Sequence, residues 1–488
     1  MRGKHPIIAV WIAGSLALAT CAQAQTPVQA AATPTTDANV VLLSDIHFNP
    51  LPLGCPAADA QQATAALVRK DAKKWSAKDF ALQGPPSNLG RDTNYPLLLS
   101  ALHAAHQAAP HARLVIVPGD FVVHTFPEHF RACRPQSTPA DFTALATKTM
   151  EFVALQIARS FPNAQIIPVL GNNDSDEGDY TLPSEEMLRR VAAAWRPLVD
   201  GKHKAGHADF SSFPAGGYYE AQLAGWPHLR VAALNSVVWS AKFRGAAKPA
   251  SSVGDAELEW LQNLLAEADK AGDKVVVVGH VPPGLDAWAT RQSGGRQIVT
   301  MYQECGEQGA SATCRDFGHA VPNLLQRFSS VIALGVFGHT HQEEFRLVGN
   351  AKAAVATKVV PSISPVLGNN PAFLVVTAGE NFVWRDYTAW VLPLGEGAKS
   401  PPAWRAEYSF DAAYGEPEWG VAALRSLGEK LNNEPAIRKA FFLRMGSGNT
   451  AVEVPTRWQE AYICGLSHMT PEGVIPCIAA AQTGIPFP

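Results

Sequence analysis

The 488 residues of the chain are enough for a sizeable core and for more than one domain. With 47% hydrophobic and 17% charged residues it reads as globular, which excludes a disordered chain. A formal net charge of −3 argues against a dedicated nucleic-acid or membrane-surface binder, and no nucleic-acid partner is expected.

The N-terminus carries Arg2, Lys4 and His5, then an apolar run from Pro6 to Ala19, then Ala22-Gln23-Ala24. A basic head, a short apolar stretch and an A-x-A site predict a signal peptide over residues 1–24, cleaved after Ala24, and hence a secreted or periplasmic protein. No later stretch approaches ~20 uninterrupted apolar residues, so no stable membrane anchor is expected. Lipid attachment at Cys21 is the minor alternative, since Thr20 fits a lipoprotein signal poorly. Residues 25–38, rich in Ala, Thr, Pro and Gln, read as a disordered leader.

Cleavage leaves Cys55, Cys133, Cys305, Cys314, Cys464 and Cys477. An even number in an exported chain predicts disulfides, with buried free thiols as the alternative. Short loops favour Cys305 with Cys314 and Cys464 with Cys477, leaving Cys55 for Cys133. None has a C-x-x-C spacing, so a structural zinc site is not expected.

From Asn39 onward, β-branched apolar runs predict buried strands at 40–43, 114–117, 165–170, 230–234, 274–278 and 331–336. Helical periodicity lies between them at 95–107, 140–159, 185–198 and 256–271; in the last, Leu258, Leu261, Leu264 and Leu265 share one face. Strands alternating with helices predict a layered α/β domain over 39–395. Beyond it, helical stretches at 421–432 and 434–443 predict a small, mostly helical C-terminal subdomain over 396–488.

Five of these strands run straight into metal-ligand chemistry. The first leads to Asp45-Ile46-His47, the second to Gly119-Asp120, the third to Gly171-Asn172-Asn173-Asp174. The fifth leads to Gly279-His280 and the sixth to Gly338-His339-Thr340-His341. Any one block is commonplace, because a Gly-Asp after a strand is often only a turn. Five together, at the strand ends where α/β sheets form their crevices, point to a metal site.

In this order the blocks resemble the calcineurin-like metallophosphoesterase superfamily, with its D-x-H, G-D, G-N-H-[DE], G-H and G-H-x-H signature, over roughly residues 39–345. The resemblance implies a β-sandwich flanked by helices and two divalent metal ions. One ion would take Asp45, His47, Asp120 and His341; the other would take Asp120, Asn172, His280 and His339, with Asp120 bridging. Imidazole mixed with carboxylate oxygen suits Zn²⁺, the first expectation, and also Mn²⁺ or Fe. Water activated by the ion pair would attack phosphorus without a covalent enzyme intermediate.

Further stretches narrow the resemblance to the acid sphingomyelinase-like phosphodiesterase branch. They are the G-D-x-x-x-H ending at His124, the F-P-A-G-G-Y-Y of Phe213–Tyr219, Leu234-Asn235-Ser236, the H-V-P-P-G opened by His280 and the PSISPVLGNNPAF of Pro361–Phe373. The branch implies a catalytic role for His124 beside the reacting phosphate; otherwise it is a surface histidine like His129. Asn173 departs from the superfamily, which has histidine there. An amide donates a hydrogen bond but cannot protonate a leaving alkoxide.

That departure gives His124 the general-acid role, or favours phosphoanhydride substrates, since endopolyphosphatases resembling this branch carry a similar G-N-N-D. The leader runs almost directly into Asp45 without a saposin-like module, so weak action on sphingomyelin in a bilayer is expected. The leading expectation is a hydrolase of small-molecule phosphodiesters. The alternatives are a phosphoanhydride hydrolase (polyphosphatase or nucleotide phosphatase), a phosphomonoesterase, or a metal-binding pseudoenzyme. Trp239, Trp288 and Tyr302 are expected to pack in the core or at its rim more readily than to line a pocket, and the sequence leaves the oligomeric state open.

Overall fold

The computed structural model describes residues 37–201, 206–245, 250–294, 297–305, 314–394, 403–452 and 454–481. The expected signal peptide, the leader up to residue 36 and the expected boundary at 395/396 lie outside the described residues. Strand structure already begins at Ala38, inside the stretch read as leader.

In chain order the strands are β1 (Ala38–Leu42), β2 (Leu114–Val117), β3 (Gln165–Pro168), β4 (Tyr219–Gln222), β5 (Leu229–Ala233), β6 (Lys274–Val278), β7 (Ile332–Phe337), β8 (Glu344–Gly349), β9 (Ala354–Val359), β10 (Ala372–Ala378), β11 (Trp384–Val391) and β12 (Arg405–Ser409). They form two mixed six-stranded sheets, β12-β11-β10-β1-β2-β3 and β4-β5-β6-β7-β9-β8. In the first, β1, β2 and β3 are parallel neighbours; in the second, β5, β6, β7 and β9 are. The six strands expected from sequence are β1, β2, β3, β5, β6 and β7.

Alternation along the strands shows how the sheets meet. Val231 and Ala233 of β5, Val276 and Val278 of β6, and Leu334 and Val336 of β7 share one core with Leu42 of β1 and its partner Ile116 of β2. The intervening Ala232, Val275, Val277 and Ile332 face a second core with Leu261, Leu264 and Leu265 of the helix Ala250–Ala271. The first face packs sheet on sheet and the second packs sheet on helix, which makes a sandwich with helices outside.

The flanking helices start where the chain supplies caps. Asn94 accepts the Leu97 N–H at the head of Tyr95–Ala108. Thr138 and Asp141 form a reciprocal capping box at the head of Pro139–Ser160, with proline in the first turn.

The C-terminal segment adds β12 to the edge of the first sheet, antiparallel to β11, and is otherwise helical. Phe410, Leu424, Leu431 and Phe441 from it join the core between the sheets. The disulfides are Cys55–Cys133, Cys305–Cys314 and Cys464–Cys477, the pairing expected from loop length.

Candidate metal centre

Five strand ends converge: β1 into Asp45 and His47, β2 into Asp120, β3 into Asn172, β6 into His280, and β7 into His339 and His341. The chain must turn sharply off each strand to aim these side chains. Asp45, His47, Asp120, His339 and His341 accordingly all have φ between 45° and 77°, the left-handed region that non-glycine residues avoid. Each costs on the order of 1 kcal/mol of backbone strain, which collects where function requires it. Gly171 is needed for the approach itself, since a Cβ there would lie 2.3 Å from the Asp120 nitrogen.

At one end of the cluster, His47 donates its Nδ1–H to the Val122 carbonyl at 3.0 Å. That fixes the tautomer and leaves Nε2 bare, 3.3 Å from Asp120 Oδ2 and 3.0 Å from His341 Nε2. His341 Nε2 lies 3.6 Å from Asp45 Oδ1, and its Nδ1 is buried without a hydrogen-bond partner. At the other end, His280 donates Nδ1–H to the Pro118 carbonyl at 2.7 Å. Its Nε2 lies 3.2 Å from the same Asp120 Oδ2, 3.0 Å from Asn172 Oδ1 and 3.3 Å from His339 Nδ1. Asn172 gives its amide N–H to Asp179 at 2.7 Å, which turns its carbonyl oxygen toward His280. One carboxylate oxygen, Asp120 Oδ2, therefore faces both halves.

The donor set fits cations. Acceptors crowd together: the bare His47 Nε2 beside Asp120 Oδ2 at one end, and Asp120 Oδ2 with Asn172 Oδ1 around His280 Nε2, which only a second ring proton turns into a donor, at the other. Burial, reinforced by the Asp120 charge, pushes Asp45 up to about 7. Burial and the neighbouring His124 push His341 down to about 3 and His47 well below its ordinary value; burial and His280 do the same to His339. Burial alone would raise Asp120, but His280, His47 and the Asn173 amide together hold it well below the carboxylate range. Burial alone would lower His280, yet the Asp120 and Asp45 charges raise it to about 9. Carboxylates and bare imidazole nitrogens without enough protons to share are what a divalent cation satisfies.

All seven candidate ligands read from the sequence thus come together. Asn173 packs against Asp120, its backbone N–H donating to Oδ1 at 2.8 Å and its side-chain amide to Oδ2 at 3.0 Å. His124 stacks on the His47 ring at 3.8 Å, and its Nδ1 lies 2.9 Å from Asp92 Oδ1. Trp239 and Tyr302 are core residues, as expected, whereas Trp288 is 60% exposed.

Several neighbours escaped the sequence reading. Asp92 also accepts the Ser364 hydroxyl at 2.9 Å. The Tyr180 hydroxyl lies 3.2 Å from His339 Nε2. Asp174 accepts the Phe121, Val122 and Gly171 N–H groups and so ties the β2 loop to the β3 loop. Asp174 closes the G-N-N-D block and was findable; Asp92 and Tyr180 lie in loops without periodicity and gave no signal.

Residues 38–343 match the family described as calcineurin-like phosphoesterase. The cyclic GMP-AMP phosphodiesterase SMPDL3A of Rattus norvegicus is 25% identical over 362 residues, covering 71% of this chain and 72% of that protein. Acid sphingomyelinase-like phosphodiesterase 3b of Mus musculus is 22% identical over 461 residues, 89% of each chain. A solved dimetal phosphatase from Danio rerio aligns with 12% identity over 72% of this chain and 95% of that one, at a TM-score of 0.39. Among the described residues no helix is long and apolar enough to cross a membrane. A family match over more than half the chain, coinciding with the strands that build the cluster, shows that the protein belongs to the calcineurin-like phosphoesterases and is a metal-dependent phosphoester hydrolase related to the acid sphingomyelinase-like phosphodiesterases.

Proposed function

We propose that the enzyme is exported and hydrolyses phosphodiesters of small molecules, with the ligand division expected from the sequence. Asp45, His47, Asp120 and His341 would hold one cation; Asp120, Asn172, His280 and His339 would hold the other, Zn²⁺ being the first choice for both. The observation that carries the reading is the single Asp120 oxygen, 3.3 Å and 3.2 Å from two imidazole nitrogens whose other ring nitrogens are already spent on backbone carbonyls. Two divalent cations bound there supply an activated water nucleophile and neutralise charge developing on the phosphoryl oxygens.

The chain's own groups do the rest. Asn173 commits its backbone N–H and one amide hydrogen to Asp120, which supports a positioning role for it. His124, stacked on His47 and bonded to Asp92, is the group we assign to protonate the leaving oxygen. Burial would lower the His124 pKa, but the hydrogen bond and charge of Asp92 raise it, which keeps a proton available. Two relatives carry phosphodiesterase names, which favours diesters over monoesters. Three disulfides support export, and we keep 39–395 as the catalytic domain with 396–488 as its helical companion.

The test is hydrolysis of bis-p-nitrophenyl phosphate against p-nitrophenyl phosphate, with chelator and with Zn²⁺ or Mn²⁺ returned. Chelator-sensitive turnover that prefers the diester supports the proposal. Turnover indifferent to chelator, or faster on the monoester, sinks it.

A further inference from the structure

We propose that Glu257 is a positioning residue of the metal centre. It holds the His280 backbone in place through Asn235 and Ser236, and so sets how tightly the cation at that end is bound. This role rests on the two-cation assignment and extends it beyond the ligands themselves.

Glu257 is out of keeping with its surroundings. It stands on the helix Ala250–Ala271, on the face where Val253, Leu261, Leu264 and Ala268 enter the second core, and it is fully buried. Burial pushes its carboxyl well above the ordinary range, opposed by the Asn235 N–H and by no basic side chain among the described residues. Oε1 accepts that N–H at 2.7 Å, and Oε2 has no hydrogen-bond partner. A carboxyl group that gives up water at two oxygens and recovers one hydrogen bond is a net cost to the fold. Packing therefore does not explain the residue. The place of its one bond does.

Asn235 lies just beyond β5, which runs parallel to β6 with Ala233 opposite Val278. The end of β5 thus emerges beside the strand end that delivers His280. Glu257 fixes the Asn235 N–H, while the Asn235 side-chain amide donates to the Gly216 carbonyl at 2.8 Å. These contacts join the F-P-A-G-G-Y-Y and Leu-Asn-Ser stretches, which supply no ligand of their own. The next residue, Ser236, is fully buried, and its hydroxyl oxygen accepts the His280 N–H at 3.0 Å.

The His280 carbonyl accepts the Gly338 N–H at 3.0 Å, one residue before His339. Tyr302 donates its hydroxyl to the neighbouring Val281 carbonyl at 2.8 Å. Because the His280 ring is already tied to the Pro118 carbonyl, the location of Nε2 follows from where the backbone stands. The links from Glu257 lead to His280 and then His339, the two imidazoles assigned to the same cation. Groups that orient ligands from behind change metal affinity by about 10- to 100-fold.

The experiment compares wild type, Glu257→Gln, Glu257→Met and Ser236→Ala. Each is equilibrated with buffered free Zn²⁺ and assayed for zinc per chain, and each is also followed metal-free by hydrogen exchange of the peptide 274–281. Glutamine matches the neutral acid in shape and keeps the acceptor, so Glu257→Gln should retain both ions as wild type does. In Glu257→Met and Ser236→Ala one ion should need about tenfold more free Zn²⁺, while the other shifts less than twofold. The peptide should exchange faster in both, and the double variant should add little, as for two links of one chain. Should Glu257→Met fail to fold, Glu257→Asp, whose shorter side chain draws the acceptor back, takes its place. Both ions weakened alike, neither weakened, or a Glu257→Gln protein that behaves like Glu257→Met would overturn the proposal. A wild type that holds fewer than two zinc ions defeats the two-cation assignment instead. Exchange in the metal-free protein then still decides the role of Glu257, and an unchanged rate in Glu257→Met rejects it.

Discussion

Two buried polar clusters, which come within two residues of each other in sequence at His341 and Glu343, solve the problem of buried charge in opposite ways. Around Asp120, carboxylate, amide and imidazole acceptors outnumber the protons between them, and burial drives most charged groups toward neutrality. Around Glu343, one carboxylate oxygen accepts from Lys358 at 2.6 Å, from the Tyr387 hydroxyl at 2.7 Å and from the Tyr408 hydroxyl. Lys358 belongs to β9 in one sheet, Tyr387 and Tyr408 to β11 and β12 in the other, so that oxygen staples the sandwich together at its edge. The Glu343 cluster balances donors against acceptors and needs nothing more. The Asp120 cluster has more acceptors than donors. Burial and charge alone do not mark a functional site; an unbalanced donor inventory does.

Substitution should separate the two. Asp120→Asn removes the shared oxygen's charge and is expected to cost about a thousandfold or more in kcat, with bound metal per chain falling in parallel by elemental analysis. Added metal should raise the thermal midpoint of wild type and leave that of the variant unmoved, because only a chain that binds the ion is stabilised by it. Glu343→Gln should do the reverse. It leaves the Lys358 ammonium buried without its counter-charge, at a cost of about 3 kcal/mol in denaturant unfolding, while metal content stays intact. Replacing both partners, Glu343→Leu with Lys358→Met, should recover much of that loss. A Glu343→Gln protein that lost metal and kept its stability would break the contrast.

The same contrast explains what was legible in the sequence. The ligands stood out because each follows a short apolar run and, at most of them, a glycine; strands buried on both faces read as continuous β-branched stretches. Strand β8 was invisible because Glu344 and Arg346 interrupt it, both buried and paired with each other at 2.7 Å. Strand β11 alternates buried Trp384, Tyr387, Ala389 and Val391 with partly exposed neighbours, a pattern that a search for unbroken apolar runs passes over. The Glu343 staple joins the residue just before β8 to residues from three strands far apart in sequence, so no local spacing announces it. Asp92 is 32 residues from His124, and only the folded loop brings them together.

Asp92 supports the next expected effect. Its carboxylate, held also by Ser364, fixes the ring of His124 against His47. Asp92→Asn should slow a diester with an alkoxide leaving group by about 10- to 100-fold in kcat. It should slow bis-p-nitrophenyl phosphate far less, since nitrophenolate leaves without a proton. Equal losses on both substrates would reassign Asp92 to general support of the loop.

Tyr180→Phe tests the gentlest point of contact. The ring would remain beneath Lys242 while the hydroxyl, 3.2 Å from His339 Nε2, is lost. A partner on the far nitrogen of an imidazole sets its orientation and basicity, so its removal should weaken metal retention by about tenfold. Excess metal should then return most of the turnover. That rescue is the discriminating reading, because a hydroxyl that bonded the substrate itself would leave a deficit in kcat or KM that no amount of metal repairs. Rescue would place Tyr180 with the acceptor-rich cluster it supports, and a persisting deficit would move it to the substrate side of the centre.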